Sequence, residues 1–125
     1  MIRIDFQEKY LKIQIFWGIN ELKTIVGIQC RLSSQRLPGK ALLKLGDTTT
    51  LGMTIKRSLA TNYKTYLLTS MQPEDDLIKE EGELLKANKV IRGPLKDVLK
   101  RFIYLAEEIK PHFIVRVTAD NPLTE

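Results

Sequence analysis

Four short apolar runs, the first three each followed by a longer stretch with a different period, constrain this chain more than any other feature. "TIVGIQ" (Thr24 to Gln29) is nearly continuous in apolar and β-branched residues, and "KTYLLTS" (Lys64 to Ser70), "NKVIRG" (Asn88 to Gly93) and "FIVRV" (Phe113 to Val117) read as three further strands. Runs of that kind predict strands buried on both faces. Between them the apolar residues recur at helical spacing. Thr48, Thr49 and Thr50 offer hydroxyls to cap a helix carrying Leu51, Ile55 and Leu59 on one face. Pro73 opens a second helix, with Glu74, Asp75 and Asp76 in its first turn opposing the positive end of the helix dipole. That capping role is preferred to metal binding for the three acids. Leu77, Ile78, Leu84 and Leu85 are expected to form the buried stripe, with Gly82 weakening the middle slightly. Leu95, Val98, Leu99, Phe102, Leu105, Ala106 and Ile109 keep helical spacing until Pro111 stops it. Strand alternating with helix predicts a three-layer α/β/α fold around a mainly parallel, Rossmann-like sheet.

In such sheets ligands gather at the carboxyl ends of the strands. "CRLSSQRLPGK", Cys30 to Lys40, leaves the first strand at that edge and sets Arg31, Arg36 and Lys40 among two serines, a proline and a glycine. Cations so close repel one another unless an anion sits among them. Arginines hold phosphate through forked hydrogen bonds, and a lysine acts as a mobile point charge. Ser33 and Ser34 add short donors, while Pro38 and Gly39 stiffen and tighten the turn. A solvated basic turn is the competing reading. The Walker pattern is absent, because its glycines and its Lys-Ser/Thr pair are missing.

The formal net charge of +5 favours anionic partners without choosing among nucleic acid, nucleotide and acidic sugar. The cations form no long block, and aromatics are not interleaved with them, which speaks against a single-strand nucleic-acid platform. A membrane is not an expected partner, since no apolar run approaches the roughly 20 residues that span a bilayer. The start, "MIRIDFQEKY", lacks the layout of a secretory signal. Cys30 is the only cysteine, which fits a reducing cytoplasm, and it reads as a small hydrophobe closing a buried strand. His112, the only histidine, lies beside Pro111 at the entry to a strand and reads as a surface or capping residue. Residues 1–23 are the least readable: "IRIDF" alternates like a strand, and Phe16 and Trp17 are expected to pack on the body.

"RLSSQRLPGK" resembles the nucleotide-binding loop of the sugar-activating cytidylyltransferases, the 3-deoxy-manno-octulosonate, acylneuraminate and spore-coat polysaccharide types. "TSMQPEDDLI", "IRGPLKDVLKRF" and "VRVTADNPL" extend the resemblance in order along residues 24–125, nearest to the spore-coat type. It implies a nucleotide-diphospho-sugar transferase fold and transfer of CMP from CTP to a sugar, with Mg2+ and release of pyrophosphate. Arg31, Ser34, Arg36 and Lys40 match triphosphate-binding positions, and Arg92 matches an arginine that contacts cytosine. Ser33, Gly39 and Thr118 complete the implied nucleotide site, with Arg116 near it; Arg31, Lys40 and Asp120 are the implied catalytic residues. Asp120 matches the magnesium-holding aspartate, although a turn aspartate before Pro122 could instead cap its own backbone. Family members are about twice as long, and their later half supplies a second magnesium aspartate and most of the sugar pocket. Ala119 replaces the family's glycine, and residues 1–23 form an unmatched extension to the 24–125 nucleotide-binding half. A truncated, non-catalytic nucleotide-binding module is therefore the alternative function. A homo-oligomer, or a requirement for the later half, is the expected assembly.

Overall fold

The structure, a computed structural model, describes residues 22–33 and 39–119. The strand expected at "IRIDF", the packing of Phe16 and Trp17, and residues Ser34, Arg36, Pro38 and Asp120 lie outside them.

Strand β1 (Thr24–Gln29) is followed by a 3-10 turn at Lys40–Leu42. A small hairpin comes next, β2 (Lys44–Leu45) and β3 (Thr48–Thr49), turning at Gly46, whose φ of 66° suits glycine. Helix α1 (Thr50–Leu59) leads to β4 (Lys64–Ser70), a 3-10 turn at Pro73–Asp75 and helix α2 (Asp76–Leu84). Strand β5 (Lys89–Gly93), helix α3 (Val98–Ile109) and strand β6 (Phe113–Thr118) complete the order.

The four long strands pair in parallel in the order β5-β4-β1-β6. Side chains alternate across each strand, so each strand contributes to both cores. Val26 and Ile28 join Leu67 with Leu51 and Ile55 of α1 and Ile78 of α2. Ile25 joins Tyr66, Leu68 and Ile91 with Leu105 of α3 on the opposite face. This is the expected three-layer arrangement. The first two crossovers run outward over one face, and the third returns over the other to place β6 beside β1. The carboxyl ends of β1 and β6 therefore diverge at a topological switch point, where a crevice must open.

Local chemistry fixes the helix ends. Thr49 Oγ1 accepts from the Gly52 amide at 2.9 Å and caps α1. Asp97 Oδ1 accepts from the Lys100 amide at 3.0 Å, so α3 starts at Val98 rather than at Leu95. Lys110 adopts a left-handed φ of 54° and closes α3 before Pro111.

Two expectations need correction. Helix α2 buries Ile78 and Gly82, while Leu77 and Leu84 stand exposed. Its nine residues meet the sheet along one i, i+4 line. Gly82 is a point of close approach, where a Cβ would lie 2.5 Å from Leu67 Cδ2. The acids before α2 also do more than cap it. Asp75 makes no side-chain cap and is fully buried, and Asp76 pairs with Arg92.

Candidate functional site

Beyond Gln29 the β1 ladder continues for one bond on each side. The Cys30 amide donates to Leu68 O at 2.9 Å, and the Ala119 amide donates to Gln29 O at 3.1 Å. Past these bonds the chains separate around a cavity of about 190 Å³. Gln29, Cys30, Arg31 and Ser33 wall it from the exit of β1, Lys40 and Ala41 from the 3-10 turn, and Thr118 and Ala119 from the end of β6. The only described cavity-lining charges are thus positive, and one wall hydroxyl, Ser33 Oγ, is buried without a partner among the described residues. A buried hydroxyl of that kind marks a place where a ligand or water completes the hydrogen bonding.

Backbone bonds set the positions of these walls. The Gly39 amide donates to Leu32 O at 2.9 Å, closing a neck across which Arg31 and Ser33 face Lys40. Gly39 has φ 76°, a left-handed conformation that starts the 3-10 turn. Thr50 Oγ1 then donates to Lys40 O at 2.7 Å, tying the turn to α1. Arg116 Nη2 donates to Gln29 Oε1 at 2.9 Å while its guanidinium lies 5.8 Å from the Phe102 ring centre, which steadies the β6 side.

Of the expected site residues, Arg31, Ser33, Lys40 and Thr118 meet on the cavity wall, with Gly39 at the neck. Ser34, Arg36 and Asp120 lie outside the described residues. Arg92 is not on the cavity wall. Its Nε donates to Ser70 O at 2.8 Å, Nη2 to Gln72 O at 2.9 Å and Nη1 to Asp76 Oδ1 at 2.6 Å, so its fork holds the β4–α2 turn. Arg92→Ala is expected to lower stability by about 1–2 kcal/mol, because two backbone carbonyls lose a charged donor. Asp76→Ala is expected to stay within about 0.5 kcal/mol, since its carboxylate is solvent-exposed. Denaturant midpoints of the two variants check the contrast. His112 sits at the far end of β6, accepting the Lys23 amide at Nδ1 (2.8 Å), a structural pairing remote from the cavity.

Two residues near this edge escape a reading of the sequence. Asp75 Oδ1 accepts the Leu32 amide at 2.8 Å, and Asp75 Oδ2 accepts Ser70 Oγ. Arg101, on α3, is fully buried beneath Gly93. Its Nη1 reaches the carbonyls of Pro94 and Leu95 only at 3.3 and 3.5 Å, and Nε and Nη2 have no partner among the described residues. Burial pushes the ionisation of Arg101 down, and the nearby Arg31 pushes it the same way, while Asp75 and Cys30 oppose. The available signal was positional: Arg101 stands between Val98 and Leu105 on the apolar stripe of α3.

Among the described residues no group of three or more His, Cys, Asp or Glu could hold a metal ion, and no helix is long and apolar enough to cross a membrane.

Comparison with known proteins agrees with the geometry. The spore coat polysaccharide biosynthesis protein SpsF of Bacillus subtilis is 34% identical over 105 residues, covering 78% of this chain and 43% of that protein. An uncharacterized protein of Methanocaldococcus jannaschii is 40% identical over 105 residues, covering 82% of this chain and 43% of its own length. This chain therefore spans less than half the length of these relatives. Among solved structures, a cytidylyltransferase from Leptospira borgpetersenii superposes with TM-score 0.79 at 34% identity, over 84% of this chain and 44% of that one. A CMP:2-keto-3-deoxy-manno-octonic acid synthetase complexed with CTP gives TM-score 0.69 at 20% identity, over 82% and 42%, a likeness of fold. The cytidylyltransferase family model matches residues 25–125, which is most of the chain, and the chain accordingly belongs to the cytidylyltransferase family.

Proposed function

We propose that this chain binds the triphosphate of CTP at the β1/β6 crevice and forms the nucleotide-binding part of an enzyme transferring CMP to a sugar. The observation that carries the reading is the meeting of Arg31, Ser33 and Lys40 around one cavity at the switch point. The cavity, about 190 Å³, is smaller than the roughly 300 Å³ of ordinary ligand pockets. Its walls suit the phosphate tail, with the nucleoside lying beyond them.

In the proposed reaction a sugar hydroxyl attacks the α-phosphorus of CTP, the α–β phosphoanhydride bond breaks, and pyrophosphate leaves. Fixed cations lower that barrier by meeting the charge that grows on the leaving group. Lys40 and Arg31 hold the β- and γ-phosphates in this reading, and Ser33 donates a hydroxyl that has no partner among the described residues. Ser34 and Arg36 join them as triphosphate ligands, and Thr118 flanks the nucleotide from β6. Asp120 is proposed to hold Mg2+; Ala119, whose peptide leads into it, lines the cavity, and a lone carboxylate suits an ion that keeps several waters. When bound, the ion would neutralise phosphate charge. The names of the relatives, one concerned with spore coat polysaccharide and one complexed with CTP, support a sugar acceptor and CTP as donor.

Calorimetric titration with CTP tests the reading. Saturable binding is expected, tightened by Mg2+ in the wild type and insensitive to Mg2+ in Asp120→Asn. No saturable binding with or without Mg2+ would end the proposal. A nucleotide-binding module without transferase activity is the second reading. Pyrophosphate release with candidate sugars separates the two.

A further inference from the structure

The basic loop leaves the sheet at β1, yet the group that grips it comes from a different crossover. Asp75 follows β4 and reaches Leu32, 43 residues earlier in the chain. Its carboxylate is fully buried. Oδ1 takes the Leu32 amide at 2.8 Å and Oδ2 takes the hydroxyl of Ser70, whose Oγ in turn accepts the Gln72 amide at 3.1 Å. Leu32 is also held on its other side, because its carbonyl accepts the Gly39 amide at 2.9 Å. One residue is thus pinned through both backbone groups. Arg31 and Ser33 are its immediate neighbours, and Lys40 follows its partner Gly39.

We propose that Asp75 is a positioning residue for the phosphate-binding wall: it fixes the neck from which Arg31, Ser33 and Lys40 reach the cavity, and so sets the grip on a nucleoside triphosphate. This rests on the function proposed above. Helix capping does not explain the residue, because Asp75 makes no side-chain cap to α2. Burying a carboxylate is unfavourable unless its oxygens are used, and here both are used to join the exit of β1 to the exit of β4. Ser70 and Asp75 are both fully buried, so the brace sits inside the fold. Arg101 lies within electrostatic reach of the Asp75 carboxylate. A ligand bound between Arg31 and Lys40 then meets groups already held at their working separation, which lowers the ordering cost of binding.

The test compares CTP and CMP affinities with thermal stability in Asp75→Ala, Asp75→Asn and Ser70→Ala. Asp75→Ala frees the Leu32 amide and is expected to weaken CTP binding at least tenfold while CMP affinity moves less than about threefold. Asp75→Asn keeps an acceptor for Leu32 and can donate to Ser70 Oγ, so it is expected to recover CTP affinity to within about threefold of wild type. Folded Asp75→Ala with wild-type CTP affinity would overturn the proposal, as would an Asn variant no better than Ala. Should Asp75→Ala fail to fold, Ser70→Ala decides: it must reduce CTP affinity about threefold with CMP affinity unchanged, and no reduction overturns the idea. If the wild-type chain itself binds no CTP, the proposed function fails, and the brace is judged separately by amide hydrogen exchange. Loss of the acceptor must then speed exchange at Leu32 and Gly39 relative to Ile28. Unchanged ratios would remove Asp75 from the role.

Discussion

Lys40→Ala is expected to weaken CTP binding about 10- to 100-fold, with a far smaller effect on CMP. A hydrogen bond to a charged group contributes about 1.5–3 kcal/mol, and each 1.4 kcal/mol is tenfold in affinity. The lysine stands at the first residue of the 3-10 turn, tied through its carbonyl to Thr50, so this cavity-lining residue has a fixed root. Arg31→Ala is expected to act in the same direction but less strongly, because Arg31 is exposed and water competes for its guanidinium. The discrimination carries the argument. CMP lacks the β- and γ-phosphates assigned to these cations, so equal losses for CTP and CMP would contradict the assignment. Paired calorimetric titrations in one buffer measure both. Raising the salt concentration should narrow the gap, since exposed charges are screened within about 8–10 Å at physiological ionic strength.

Gly82→Val is expected to destabilise the chain by about 2 kcal/mol and to lower its melting temperature by about 10 °C. Two effects oppose one another here. Replacing a mid-helix glycine by alanine ordinarily stabilises a helix by up to about 1 kcal/mol. At this position a Cβ would lie 2.5 Å from Leu67 Cδ2 and 3.1 Å from Val90 Cγ2. Leu67 is fully buried at the centre of the sheet and can retreat only by displacing other core atoms. Overpacking therefore outweighs propensity, and the two extra methyls of valine enlarge it. Gly82→Ala should fall between wild type and Gly82→Val. A thermal melt of Gly82→Val at or above the wild-type midpoint would show that the helix can move away from the sheet.

The two central strands were legible because burial on both faces leaves little freedom in composition. Thr24 to Gln29 and Lys64 to Ser70 appear as strands with the bounds their apolar runs suggest. The place of the basic loop was legible for a related reason, since a loop that leaves a buried strand puts Arg31 and Lys40 at the carboxyl edge of the sheet, where both line the cavity. Helix faces were harder. Leu77, Leu84 and Leu99 satisfy helical spacing yet stand exposed, because short helices touch the sheet along one narrow line. Periodicity does not say which leucines lie on it. Asp75 was misread because a local rule, acid at a helix start, already accounted for it. Only the crossover geometry brings it against Leu32. Arg101 was hidden by the opposite habit, in which a cation on an amphipathic helix is assigned to water.

Because Leu32 and Gly39 are clasped to each other, and Leu32 to a residue from another part of the chain, the two feet of the basic loop are planted independently of what spans them. Insertions or replacements in that span would change what the loop recognises while leaving Arg31 and Lys40 in place. Lengthening such a bridge is a small entropic burden, growing only with the logarithm of its size. A library varied between those feet, with Ser33, Ser34 and Arg36 retained, is therefore a practical route to a retuned phosphate grip on an undisturbed scaffold.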